Sequence, residues 1–220
     1  MGEMLDIVTK LHRRTKRDYV GRMNDNKIAC MEIAKKYGFD YWDGERRYGY
    51  GGYKYDGRWE VVARDLIEHY KLPEDANILD AGCGKGYLLY EFGKLLPKAR
   101  IAGFDISDYA LQNAKEEIKS NLFRHRAQDR FPFNDGEFDL VLSITTLHNL
   151  QVFDLKSALC EMERAGKNKY MVVESFRNNS ELFNLQCWAL TCESFFTPEA
   201  WKWLFDEFGY TGDYEFIFFE

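Results

Sequence analysis

Ile78-Leu79-Asp80-Ala81-Gly82-Cys83-Gly84-Lys85-Gly86 reads as a buried strand, an acid at its carboxyl end, and three alternate glycines ahead of a helix. Glycine lets backbone approach a ligand where a Cβ would collide, and in an open parallel sheet ligands bind beyond the carboxyl ends of the strands. A nucleotide-like cofactor is therefore expected at this loop. Two other nucleotide motifs fail on spacing. A dinucleotide fingerprint GxGxxG needs its third glycine at position 87, which is Tyr87. A phosphate loop needs a four-residue spacer and a Ser or Thr after its lysine, and Gly84-Lys85-Gly86 has neither. NAD binding and ATP hydrolysis are both disfavoured.

Working outward, short apolar runs alternate with amphipathic stretches, the pattern of parallel strands joined by helices. Strands are expected at 77–81, 100–105, 122–127, 138–143, 169–174 and 213–219. Helices are expected at 86–96, at 107–120 with Ser107 as cap, at 154–166, and at 198–208 with Thr197 as cap and Pro198 in the first turn. The fold class is α/β: a Rossmann-like, doubly wound, mostly parallel sheet over residues 73–220, with residues 1–72 as a helical N-terminal cap of the same domain. Within the cap, helical patterns at 4–17, 24–37 and 57–71 flank a glycine- and tyrosine-rich loop at 45–59. Residues 175–197 read as a long aromatic connection, of the kind that is usually functional when it is not disordered.

Composition narrows the function. At 220 residues with 45% hydrophobic content the chain can bury a substantial core, and its formal charge of −6 opposes broad attraction to nucleic acid or anionic membrane. A local exception is Lys10, His12, Arg13, Arg14, Lys16, Arg17, Arg22 and Lys27, which read either as a solvated helix face or as a grip on a carboxylate, a phosphate or RNA. Five cysteines without a CxxC pair, and four scattered histidines, give neither a zinc site nor a disulfide framework, so no metal is expected. No apolar run is long enough for a membrane span and the start lacks a secretory signal, which makes a cytoplasmic location the expectation.

Downstream acids sharpen the cofactor. Asp105 closes the second strand, where a carboxylate can accept both hydroxyl protons of a ribose; capping the helix at Ser107 is its alternative role. Gln128 and Asp129, beyond the third strand, suit an adenine amino group, although Asp also favours turns. His148 is the only histidine at a strand's carboxyl end beside the expected pocket; it reads as a general base or as a buried structural residue. Glu174 closes the fifth strand, where it can bind an amine or orient His148. Tyr50, with Tyr48, Tyr53 and Tyr55, offers hydroxyls and aromatic faces that enclose a sulfonium or an amine by cation–π attraction.

In order and spacing, the glycine loop, Asp105, Asp129 and the fourth-strand segment Phe138-Asp139-Leu140-Val141-Leu142-Ser143 resemble the class I S-adenosylmethionine-dependent methyltransferases over about residues 74–175. The resemblance implies S-adenosylmethionine as cofactor. Asp80 and the backbone of Gly82, Gly84 and Gly86 would cradle its methionine part, with Cys83 as a small loop residue. Asp105 would bind ribose, Ile106 would pack on adenine and Asp129 would meet its amino group. Ser143 and the residues after it would face the methyl group, and residues 19–59 would cover the cofactor, bringing Tyr19, Arg22, Arg46 and Arg58 near the acceptor. The fourth strand ends in Ser143-Ile144-Thr145-Thr146 rather than in the Asn/Asp-Pro-Pro-Tyr/Phe of amino-group nucleic-acid methyltransferases, so DNA is disfavoured as a substrate. Such sheets normally finish in a reversed hairpin of two strands; only about a dozen residues follow the last helix here, so one of those strands is expected to be very short or missing.

A methyl sulfonium is already a strong electrophile, so the protein mainly has to align an acceptor and take up a proton where needed. The arginines and the aromatic lids favour a small polar, anionic metabolite methylated on O or N. The rival readings are a protein or peptide methyltransferase, an RNA methyltransferase using the basic N-terminal stretch, and a cofactor-binding protein without turnover.

Overall fold

Strand β1 (Asn77–Ala81) buries four of its five side chains, and the alternation within it sorts them to two faces. Leu79 and Ala81 face one side with Val141, Met171 and Val173, while Ile78 faces the other with Leu140, Leu142, Tyr170 and Val172. Both faces are therefore apolar, which is the condition for a parallel sheet covered by helices on each side. The computed structural model describes residues 2–13 and 16–220; Arg14 of the basic stretch lies outside the described residues.

The cap begins with α1 (Thr9–His12), α2 (Tyr19–Asn24), α3 (Lys27–Ala34) and α4 (Phe39–Trp42), and passes through a turn at Arg46–Tyr48 into α5 (Trp59–Tyr70). After β1 come α6 (Tyr87–Leu95), β2 (Arg100–Asp105), α7 (Asp108–Gln112), α8 (Glu116–Lys119) and β3 (Leu122–Arg124). The chain continues with β4 (Phe138–Ile144), α9 (Val152–Ala165), β5 (Gly166–Glu174), α10 (Asn179–Trp188), α11 (Pro198–Glu207) and β6 (Asp213–Ile217). The strands form one sheet in the order β3-β2-β1-β4-β5-β6, every pairing parallel. Helices α9 and α11 cover one face through Leu155, Leu159, Met162, Trp201 and Phe205; α5 and α6 cover the other through Val62, Leu66, Leu89 and Phe92. The order reverses between β1 and β4, so the ligand crevice opens at their carboxyl ends.

Several elements differ from the sequence-based expectation, each for a local reason. The helix expected at 4–17 is only α1, because residues 2–5 run alongside β6: Gly2 N–H donates to Gly212 O, Leu5 N–H to Tyr214 O, and Tyr214 N–H to Glu3 O. Glu215, buried on β6, then accepts the N–H groups of Ile7, Val8 and Thr9 and the hydroxyl of Tyr170. The helix expected at 24–37 breaks at Asn26, which takes a left-handed conformation (φ 42°). The one expected at 107–120 keeps its Ser107 cap but divides, with Lys115 extended and its ammonium over the rings of Tyr55 and Tyr90. The third strand stops at Arg124. The connection 175–197 contains α10, capped by the Asn178 side chain on Glu181 N–H, with Glu181 returning to Arg177 N–H. Among the described residues no reversed hairpin closes the sheet: β6 pairs parallel with β5, and the N-terminal segment covers its other edge through the Met4–Tyr214 bridge. Among the described residues no helix is long and apolar enough to cross a membrane.

Candidate functional site

The glycine loop between β1 and α6 is fastened to the neighbouring strand. Gly82 and Cys83 donate their N–H groups to Phe104 O at 2.8 and 3.0 Å, and Gly84 N–H donates to an Asp105 oxygen at 2.8 Å. Two of the glycines are required by close approach at positive φ. At Gly82 (φ +88°) a Cβ would lie 2.3 Å from the Thr146 side chain, and at Gly84 (φ +55°) 2.7 Å from the Trp42 indole. Tryptophan 42 therefore lies against the loop, its indole N–H donating to Ser107 Oγ (2.9 Å) and its ring stacked on Tyr50 (centroids 5.2 Å apart). Lys85 fixes this lid: nearly fully buried, it donates to both oxygens of Asp43 (2.8 and 2.7 Å) and to Tyr53 O (2.8 Å).

Beneath the lid lies a cavity of about 930 Å³. At one end stand Asp80, Gly82, Cys83, Gly84, Asp105 and Ile106, with Gln128 nearby; His148 and Glu174 line it at the ends of β4 and β5, and Tyr50 lines it from the lid, stacked on Trp42. Asp80 is buried and its Oδ1 has no hydrogen-bond partner among the described residues. Burial, reinforced by the charge of Asp105, pushes its carboxyl up to about 8. Asp105 is also raised by burial, against the pull of backbone N–H groups from Ser107 and Gly84. An orphaned carboxylate oxygen, an acid bound by backbone and two positive-φ glycines form a cradle that fits the ammonium and ribose of S-adenosylmethionine. Ile106 offers a 44% exposed apolar side chain beside Asp105, and Gln128 is turned toward Asp154, Nε2 to Oδ2 3.4 Å.

Three expected cofactor contacts lie outside this lining. Gly86 (φ +67°) sits at the start of α6, where a Cβ would meet Ile118 and Leu122, so it serves helix–sheet packing. Ser143 is buried and spends its hydroxyl on Ala81 O at 2.7 Å, locking β4 to the end of β1. Asp129 is a half-exposed surface acid that faces Arg126, because its N–H closes a turn onto Arg126 O. Tyr19, expected near the acceptor, donates instead to Glu220 O.

Around His148 and Glu174 the geometry is specific. The Glu174 N–H donates to His148 Nδ1 (3.3 Å), which leaves the proton of the neutral ring on Nε2, 3.5 Å from a Glu174 carboxylate oxygen. Burial drives His148 down to about 3, so it is neutral at physiological pH. Glu174 moves oppositely: burial lifts it to about 7, against the pull of Arg17 and Lys27. Tyr50 lines the cavity with its hydroxyl raised to about 12 by burial. Thr145, a β-branched residue at φ 53°, turns the chain out of β4 here, its N–H donating to Val172 O. Arg22 and Arg46 both lie over the Trp188 ring, 4.4 and 5.0 Å from its centroid, and both line the cavity; Arg58 lines it too but is held by Asp56.

Sequence reasoning missed Trp42, Lys85, Asp154 and Trp188. Lys85 had a usable signal, being a lysine enclosed by two glycines of a ligand loop; Trp42 and Trp188 lie in segments with no motif around them. Among the described residues no cluster of His, Cys, Asp or Glu is arranged to hold a metal ion.

Comparison with known proteins bears on this geometry. A family described as a methyltransferase domain matches residues 72–209. The mouse (Mus musculus) mitochondrial arginine-hydroxylase NDUFAF5 is 30% identical over 58% of this chain and 37% of its own length. The ribosomal RNA large subunit methyltransferase G of Vibrio atlanticus is 44% identical over 27% of this chain and 16% of its own. The chain thus spans well under half the length of these curated relatives. Among solved structures, a complex between a Haloferax volcanii methyltransferase activator and a methyltransferase matches with TM-score 0.57 and 20% identity, covering 84% of this chain and 76% of that one. A Bacillus halodurans methyltransferase structure matches with TM-score 0.54 and 19% identity, covering 67% and 68%. At these identities the structures report a shared fold.

Proposed function

Because the chain belongs to the methyltransferase-domain family and uses S-adenosylmethionine, we propose that it methylates an O or N atom of a small polar, anionic metabolite enclosed beneath its cap. The observation that carries this reading is one covered cavity lined by both the cofactor cradle and the Glu174–His148 pair. Bound S-adenosylmethionine supplies a methyl group on a sulfonium. The remaining roles fall to the protein. Asp80 takes the cofactor's ammonium, the Gly82–Gly84 backbone lets its chain pass close, Asp105 holds the ribose hydroxyls, Ile106 lies on the adenine and Gln128 meets its edge. The stacked rings of Trp42 and Tyr50 exclude water from the reacting centre. Glu174 is the proton acceptor, since both ring nitrogens of His148 are turned to Glu174; His148 positions that carboxylate. Residues 1–72 act as the cover of a core formed by 73–220.

The inward placement of Arg17, Arg22 and Lys27 supports a small acceptor over RNA, while Lys10, Arg13 and Lys16 of the basic stretch stay exposed. Arg17 and Arg22 line the cavity, and Lys27 donates to the carbonyls of Cys187 and Ala189, so these charges present no open face to a phosphate backbone. The test is calorimetric titration with S-adenosylmethionine, S-adenosylhomocysteine and NAD, followed by a screen of small anionic acceptors for S-adenosylhomocysteine release. Binding of the first two without NAD, and turnover on a small acceptor, is the expected result. Turnover only on RNA or on a protein would overturn the assignment of the acceptor.

A further inference from the structure

Charge inside the cavity is unevenly distributed. Beside Trp188, and among the described residues, Arg22 donates only to the carbonyl oxygens of Trp188 and Arg46, and Arg46 only to those of Gly49 and Tyr50. Among the described residues neither guanidinium has a carboxylate within salt-bridge reach; Arg22 is half-buried and Arg46 is exposed, and both line the cavity. Burial lowers Arg22 to about 10 and Lys27 to about 8, and in each case the next cation along adds to the effect. Arginine in such a place is an unfilled fork for anionic oxygens, with donors already fixed in orientation by carbonyl contacts and by stacking on indole.

Glu174 contributes the opposite charge in the same cavity, and the proton of His148 Nε2 faces it. An acceptor whose reacting end were anionic would be repelled by this carboxylate. One whose reacting end is a basic nitrogen would be attracted, and would find there the group that takes its proton. The arginines and Glu174 thus ask for opposite charges on one small molecule. The glycine loop follows β1, whereas Glu174 ends β5, two strands away across β4, or roughly 10 Å at about 4.8 Å per strand.

We propose that the methyl acceptor is a small zwitterion, its anionic oxygens held by Arg22 and Arg46 over Trp188 and its basic nitrogen facing Glu174. The inference rests on the methyl-transfer reading and specifies its substrate class. The acceptor's ammonium gives one proton to the Glu174 carboxylate, which frees the nitrogen lone pair. That pair forms the new N–C bond as the methyl carbon's bond to sulfur breaks, with the bonding electrons left on sulfur. The product leaves as a methylated ammonium, and Glu174 returns its proton to water.

The test uses the full chain saturated with S-adenosylhomocysteine. Dissociation constants are measured by ligand-observed NMR for straight-chain ω-amino carboxylates from glycine to 6-aminohexanoate, and for the matching amines and carboxylates. At one chain length the zwitterion should bind at least tenfold more tightly than either single-charge partner. Glu174→Gln should reduce it to the affinity of the carboxylate, and Arg46→Gln to that of the amine, with Arg22→Gln as the second variant should Arg46→Gln disturb the cap. Affinity for S-adenosylhomocysteine should change less than threefold in all three. Equal binding of zwitterion and monocarboxylate, or no binding by any of the ladder, overturns the inference while leaving methyl transfer intact. Loss of S-adenosylhomocysteine with retention of 5′-methylthioadenosine in the arginine variants also overturns it, by assigning the arginines to the cofactor's carboxylate. Failure of the native chain to bind S-adenosylhomocysteine would instead strike at the proposed function itself.

Discussion

Asp80→Asn should make the protein without cofactor more stable and its cofactor binding weaker, the two changes having one electrostatic cause. In the folded chain the Asp80 carboxyl lies at about 8, against 3.8 when unperturbed, because burial and the nearby Asp105 both disfavour its charge. The native state therefore holds a proton that the unfolded state releases, and stability falls as pH rises from about 4 to about 8. A shift of roughly four units corresponds to about 6 kcal/mol at about 1.4 kcal/mol per unit. Water admitted to the cavity screens part of this, leaving about 3 kcal/mol. For a chain of this size that is a rise in Tm of about 6–12 °C for the variant near pH 8.5 and little change near pH 4. The assay is thermal melting of both proteins across this range, paired with calorimetric titration of S-adenosylhomocysteine. Loss of a charged contact to the cofactor's ammonium should weaken binding about 10- to 100-fold. A variant that melts below the native chain at pH 8.5, or whose difference from it does not depend on pH, would refute the reasoning, since it would mean that the orphaned oxygen is already compensated.

Three further outcomes follow from the site. Glu174→Gln should lower turnover by about 10²- to 10⁴-fold and remove a rise in kcat/KM through about pH 7; an unchanged pH profile would take the proton-acceptor role away from it. Lys85→Met leaves Asp43 with Tyr109 and the Tyr53 N–H alone, and should destabilise the chain by about 2–3 kcal/mol while loosening the lid, read as faster hydrogen exchange at residues 42–53. Gly82→Ala should lose roughly 2 kcal/mol or more from strained φ and from collision with Thr146, and a second change Thr146→Ala should recover the collision part, measured as a double-mutant cycle in denaturant.

How much was legible in the sequence depends on the range of the interactions involved. Strands β1 and β2 begin and end at the expected residues; β1, buried on both faces, writes its apolar run into a few consecutive side chains. The Ser107 and Thr197 caps were readable because their partners lie three residues on, and Asp105 because it closes β2 just before Ser107. Helix α10 carries a readable signal too, Asn178 followed three positions later by Glu181, which the aromatic content of the segment obscures. What was not legible depends on distant partners. Nothing around Trp42 announces that its indole will close on Gly84, and nothing near Glu215 reveals that its carboxylate will gather three N–H groups from residues 7–9. Asp129 follows the third strand as expected, yet a tight turn onto Arg126 O leaves it outside the cavity lining, which Gln128 joins instead.

The docking of residues 2–9 on β6 has a kinetic consequence. Those residues meet partners that lie 206–210 positions later in the chain, so the wall they bring to the cavity, through Val8, Leu11 and His12, cannot assemble until the last strand is in the sheet. Contacts of such long sequence separation form late, because loop closure is opposed by entropy until most of the fold exists to reward it. Maturation of the acceptor end should therefore lag behind formation of the cofactor end, whose glycine loop and Asp105 lie only about 20 residues apart. A refolding chain should regain affinity for S-adenosylhomocysteine before it regains turnover.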